Sequence, residues 1–285
     1  NIMKGWLKSM KEQLDNTGKV IAKISTRQGK FTIYFDTGEK IELNEISYLS
    51  CGYLYSGKQI DISQLEKIIY LAKLQEGINY INNLLARNLY TSHELINKLQ
   101  NTKKYDLTDA EKIVEIFIDN GRVNDKSYAT ELIEDLKEKG KSREYAYQKM
   151  MSKMFNYELI KTLLEDYEEN DEAVYTLIEN CSKRYNSKPY DVKKKAIYNY
   201  LISKGFNHEK AHEYVDKYYE LNGGKDEENE TKILYKAANN AYNSALSRGK
   251  NPYDSKQKFI RYLLSKGFKY NDILELLEGG EYEFD

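Results

Sequence analysis

One pattern constrains this chain more than any other. Four times a Lys-x-aromatic-polar mark recurs: Lys103-Lys104-Tyr105-Asp106, Lys153-Met154-Phe155-Asn156, Lys204-Gly205-Phe206-Asn207 and Lys266-Gly267-Phe268-Lys269. The aromatic residues are 50, 51 and 62 positions apart, a period that accommodates three helices per unit. Downstream of each mark the apolar residues fall in i, i+4 pairs: Ala110 and Val114, Ile160 and Leu164, Ala211 and Val215, Ile273 and Leu277. A three-helix unit of this kind has an apolar face too large to leave in water, so neighbours are expected to stack and share a core. The expected fold is mainly α: tandem three-helix repeats over 75–123, 124–168, 169–222 and 223–285, forming an elongated curved array. The longer last step is read as an exposed inter-repeat insertion, Gly223-Gly224-Lys225-Asp226-Glu227-Glu228.

The region 1–74 departs from helical periodicity. Val20–Ile24, Phe31–Phe35 and Lys40–Leu43 are rich in β-branched and aromatic residues, with Gly29 and then Asp36-Thr37-Gly38-Glu39 between them. A small antiparallel β region is expected there. Beyond a Tyr-rich connection, Ser63-Gln64-Leu65-Glu66 and Thr91-Ser92-His93-Glu94 can each form a capping box at a helix start. Only two prolines, Pro189 and Pro252, interrupt the rest.

Charge and cysteine content narrow the function classes. Lys plus Arg number 44 against 45 Asp plus Glu, a net charge of −1, so a large positive field for nucleic acid is excluded and phosphate contacts must be local. Cys51 and Cys181 lie in no metal or redox spacing, which fits buried thiols in a reducing compartment. No apolar run reaches the length of a membrane span and the N-terminal residues lack a signal-peptide core, so a cytoplasmic protein is expected, with Met3 as its natural start.

His208-Glu209-Lys210-Ala211-His212 matches the zinc-protease pattern of two histidines one turn apart around a general base. The repeat register argues against a metal site. His208 occupies the slot of Leu107, Tyr157 and Tyr270, and His212 that of Glu111, Lys161 and Leu274, so the same helix recurs without ligands. There is no Gly-rich phosphate loop and no nucleophile elbow, and neither a cofactor nor an enzymatic activity is expected.

Local basic density is the more informative signal. Lys183, Arg184, Lys188, Lys193, Lys194 and Lys195 cluster in the third unit, and Arg248, Lys250, Lys256, Lys258, Arg261, Lys266 and Lys269 in the fourth. Equivalent helices of successive repeats point the same way, so these clusters can form one basic stripe; the same lysines would serve equally to solubilise exposed helices. Tyr214, Tyr218 and Tyr219 can stack on bases, although their helical spacing suits a core or interface better.

Two segments carry a resemblance to a known family. Leu85-Ala86-Arg87, Thr91-Ser92-His93-Glu94-Leu95 and Lys98-Leu99 resemble the first-repeat signature of RecX proteins, with Thr91 at the capping position. Gly121-Arg122-Val123-Asn124-Asp125-Lys126-Ser127-Tyr128-Ala129 is similar to their most specific motif, although Arg122 stands where an aromatic or aliphatic residue is usual and Met154 replaces a common turn glycine. Physically, Gly121 suits a helix C-terminus, Asn124 or Asp125 can cap the next helix, and Tyr128 and Ala129 can pack its first turn. The resemblance covers nearly the whole chain, the strand-rich start being similar to the extension of longer Gram-positive members. It implies a monomeric regulator that binds RecA filaments on single-stranded DNA and inhibits or retunes their ATPase, strand-exchange and co-protease activities. The residues expected to contact filament or DNA are Arg87, Arg122 and the cations of the third and fourth units, in particular Lys183 to Lys195, Lys256, Lys258, Arg261 and Lys266.

Overall fold

The computed structural model describes residues 19–284; the expected start at Met3 lies outside them. Among the described residues are four strands and thirteen helices, so the fold is mainly α with a small antiparallel sheet. The chain divides into two compact units, 1–128 and 129–285.

The first unit begins with β1 (Lys19–Arg27), β2 (Lys30–Phe35) and β3 (Lys40–Asn44), close to the expected strands. A fourth, β4 (Gln59–Ile60), pairs with the start of β1 and completes the order β3-β2-β1-β4. Gln28 and Gly29, both at positive φ, form a two-residue turn whose hand matches the strand twist. Alternation along the strands turns Ile21, Ile33, Phe35, Ile41 and Leu43 to one buried face. The Tyr-rich connection contains a short helix, α1 (Glu45–Ser50), capped by Asn44.

Helix α2 (Ile62–Leu85) spans two cores. Its first half sets Leu65, Ile68 and Ile69 on the sheet, and its second half packs with α3 (Ser92–Lys103) and α4 (Leu107–Asp119) around Ile81, Leu95, Leu99 and Phe117. The N-cap of α2 is Asp61, not Ser63: its carboxylate accepts from the Gln64 amide at 2.7 Å. Ile60 is still in the sheet, so the chain must cap at the next residue. The Thr91 capping box at α3 forms in both directions, as its spacing predicts.

Helix α5 (Asp125–Glu138) begins in the first unit and lies mostly in the second, where α6 (Arg143–Ser152), α7 (Tyr157–Glu165), α8 (Asp171–Arg184), α9 (Tyr190–Ser203), α10 (His208–Leu221), α11 (Glu227–Arg248), α12 (Pro252–Ser265) and α13 (Tyr270–Glu278) follow. The repeated mark is a left-handed helix stop. Gly205 at φ +95° donates its N–H to Ile202 O at 2.9 Å and Phe206 donates to Leu201 O at 3.2 Å, satisfying carbonyls that the helix end would orphan. Met154 with Phe155 and Gly267 with Phe268 repeat the same two bonds, and all four aromatic residues of the marks are buried. Of the i, i+4 pairs, seven residues are buried as expected; in α13 Leu276 rather than Leu277 takes the deeper place.

The marks also join neighbours within the second unit. A Cβ on Gly205 would lie 2.6 Å from Tyr145 Cβ and 2.7 Å from Ser142 Oγ, so the start of α6 rests directly on that turn. Val192 in the first turn of α9 occupies the same position over Gly267. The expected insertion at Gly223–Glu228 is corrected: from Glu227 it is helix, capped by Asp226. The extra length of the last interval goes into helices, α10 having 14 residues against 9 in α7, and α11 having 22 against 14 in α8. Acidic residues in a first turn favour this outcome because they face the positive end of the helix dipole.

Candidate functional site

The Gly121–Ala129 motif is structural in detail. Gly121, at φ +73°, and Arg122 end α4 with the same pair of bonds as the repeat marks. Asn124 caps α5 by accepting from the Ser127 amide at 3.0 Å. Asp125 accepts from both the Ser92 amide and the Ser92 hydroxyl, at 2.8 and 2.6 Å, and Ala129 is fully buried. Arg122 lays its guanidinium 5.3 Å from the Phe117 ring centroid and hydrogen-bonds the Asn82 side chain; Arg87 is exposed in the turn after α2.

The expected cations separate into engaged and open groups. Lys183 pairs with Glu179 at 2.6 Å, Lys194 with Asp216 at 2.6 Å, and Lys258 with Asp254 at 2.9 Å. The hydrogen bond to Asp216 raises the pKa of Lys194, and that from Lys258 lowers that of Asp254. Lys258 also donates to the Arg248 carbonyl at the end of α11, Arg184 lies 5.9 Å from the Tyr200 ring, and Lys269 reaches Asp191 at 3.0 Å. Among the described residues, Lys188, Lys193, Lys195, Lys256 and Arg261 form no ion pair. Adjacent residues on a helix point about 100° apart, so Lys193, Lys194 and Lys195 do not share a direction.

Two of the expected cations meet in one cleft. Lys188, from the α8–α9 turn, and Lys266, at the end of α12, line a cavity of about 510 Å³ whose long wall is one face of α11. That wall adds Lys232 and Lys236, which sequence reading missed because the acidic run before them reads as a solvated insertion. The i, i+3, i+4, i+7 pattern of Asn229, Lys232, Ile233 and Lys236 is the signal that could have found them.

The protease-like string is differently used. His208 Nδ1 and the Tyr198 hydroxyl share a hydrogen bond, and the His212 ring lies 4.4 Å from the Tyr198 ring. Both imidazoles flank one tyrosine, and among the described residues no three His, Cys, Asp or Glu side chains gather as a metal site. Cys51 and Cys181 are free and buried, and burial raises both thiol pKa values. No described helix is long and apolar enough to cross a membrane.

No protein-family model matches the chain. It is 28% identical over 263 residues to the regulatory protein RecX of Streptococcus agalactiae serotype III (strain NEM316), covering 90% of this chain and 98% of that one. To the regulatory protein RecX of Lactococcus lactis subsp. lactis (strain IL1403) it is 29% identical over 257 residues, covering 88% of this chain and 92% of the relative. Its fold is similar to a crystal structure of regulatory protein RecX with a TM-score of 0.54 at 19% identity, over 70% of this chain and 99% of that one. Along nearly the full length of both sequences this chain is similar to regulatory RecX proteins, and its helical fold is similar to that of a RecX crystal structure.

Proposed function

We propose that this protein binds RecA filaments assembled on single-stranded DNA and inhibits their ATPase, strand-exchange and co-protease activities. It acts as a cytoplasmic monomer, through contact rather than chemistry of its own. The observation that carries the reading is likeness to regulatory RecX proteins along nearly the whole chain, not in one module. The open cations Lys193, Lys195, Lys256 and Arg261 support it, because local positive charge in a chain of net charge −1 can meet DNA phosphates while acidic faces meet protein. We assign the contacts chiefly to repeats 169–222 and 223–285, which carry these open cations, with Arg87 and Arg122 contributed by repeat 75–123. Titrating the protein into a cognate RecA on single-stranded DNA should lower the rate of ATP hydrolysis; an unchanged rate at saturation overturns the proposal.

A further inference from the structure

We infer that the cleft between the α8–α9 turn and α11 binds the phosphodiester backbone of a single-stranded nucleic acid, with Tyr262 as a stacking platform for a base. This deepens the filament reading by naming a site and a ligand, but it requires no recombinase.

The cleft is distinguished by its charge. Lys188, Lys232, Lys236 and Lys266 line it and no carboxylate does, in a chain where acids outnumber bases. The cavities at Arg143–Lys210 and Glu138–Leu177, by contrast, include Glu144 with Glu169 and Glu138 with Glu172 respectively. Glu230 accepts from the Tyr190 amide at 2.8 Å, and Glu228 pairs with Lys232 at 2.5 Å, so the cations of the lining left for phosphate are Lys188, Lys236 and Lys266. Lys188 and Lys236 form no ion pair among the described residues. Each lysine offers a compact point charge with three donors, which can hold a phosphate oxygen.

Polar and aromatic groups complete the match. Asn186, Asn229 and Asn240 offer both donors and acceptors to sugar or base edges. Tyr262 is 39% exposed with the Lys266 ammonium 4.9 Å from its ring centroid, so a base can reach the ring beside a cation that holds its phosphate. From Asn229 to Asn240 the wall runs roughly 16 Å at about 1.5 Å per residue, longer than one phosphate requires and suited to successive nucleotides.

The test uses the full chain and a fluorescent oligothymidylate without RecA, over a salt series. Each lysine that neutralises a phosphate contributes about 0.7 to the slope of log K against log salt, so Lys188→Gln/Lys236→Gln/Lys266→Gln should flatten it by about 2. The same charge removed at Lys23, Lys139 and Lys217 should leave the slope nearly unchanged. Tyr262→Ala should weaken binding roughly tenfold and Tyr262→Phe should restore it. Circular dichroism melts establish that each variant is folded. An equal slope change in both lysine triples, unaltered affinity in Tyr262→Ala, or thymidine 5′-phosphate binding as tightly as the oligonucleotide would each overturn the assignment. Failure here with RecA ATPase inhibition intact removes the cleft and leaves the filament reading; the opposite result removes the filament reading alone.

Discussion

Asp125 grips Ser92 with both carboxylate oxygens, one on the backbone amide and one on the hydroxyl, across 33 residues of sequence. The pair ties the start of α5 to the start of α3, so the acid in the most recognisable family segment joins two helices while its neighbour Asn124 performs the capping. Replacing Asp125 with Ala leaves the Ser92 amide without this acceptor, which should cost roughly 1–3 kcal/mol. Asp125→Ala and Ser92→Ala should be strongly non-additive in a double-mutant cycle read by denaturant melts. Additive losses would mean that the contact contributes little.

The repeat turn makes a pair of opposite predictions. Gly205 combines positive φ with the close approach of Ser142 and Tyr145, so Gly205→Ala must both strain the backbone and displace α6. Its Tm should fall by more than that of an exposed Gly→Ala change. At the equivalent point of the first mark, Lys104 holds φ +62° and is exposed, so Lys104→Gly relieves a left-handed cost of about 1–2 kcal/mol with little contact to lose. The net gain is smaller than that figure because glycine is freer when unfolded. Unchanged or lower stability in Lys104→Gly would show that the lysine side chain matters more than its backbone.

These turns were legible from sequence because their determinants are local: Gly-Phe after an amphipathic helix, or Thr91 three residues before Glu94. Features set by distant partners were not. Asn124 and Asp125 are equivalent capping candidates until Ser92 is placed beside one of them. The two-residue strand Gln59–Ile60 has no pattern of its own and exists because Lys19 and Val20 offer an edge. Likewise, Lys188 stands out in sequence only as one of a basic cluster and Lys236 not at all, and their common cleft depends on how the α8–α9 turn meets α11. The cation clusters were visible as composition, but their division into paired and open residues required Asp216, Glu179 and Asp254.

Alkaline pH should expose the buried tyrosines. Burial pushes the Tyr167 phenol up to about 12, with nearby Glu169 and Glu134 adding to the shift, while its hydroxyl donates to Lys141 O at 2.9 Å. Tyr105, Tyr214 and Tyr219 are raised for the same leading reason, and the Tyr219 hydroxyl is buried without a hydrogen-bond partner among the described residues. A folded pKa above the unfolded value of about 10 means that this contribution is intact below that pH and is lost as pH rises toward the folded value. Each such tyrosine therefore removes about 1.4 kcal/mol per pH unit across that window. Melting temperature should fall steeply above pH 10 or so, and the fall should be shallower in Tyr167→Phe. A tyrosinate absorbance titration that finishes near the ordinary value while the fold persists would contradict the burial argument.

Lys194 and Lys195 are adjacent on α9, yet only one is open to a partner. Lys194 spends its charge on Asp216 at 2.6 Å; both side chains remain partly exposed, so the pair contributes at most about 1 kcal/mol and strands no buried charge when broken. Lys195 is exposed and forms no ion pair among the described residues. Charge that is already neutralised by a neighbour adds little to the attraction of a phosphate, whereas an open cation on a rim raises association rate and salt dependence. Lys194→Gln should therefore lower Tm slightly and leave inhibition of RecA ATPase nearly intact. Lys195→Glu should leave Tm unchanged and raise severalfold the protein concentration needed for half-inhibition, more so at low salt. Equal losses from the two variants would mean that α9 contributes through its overall charge; a loss confined to Lys194→Gln would place the working face on α10 beside Asp216 instead.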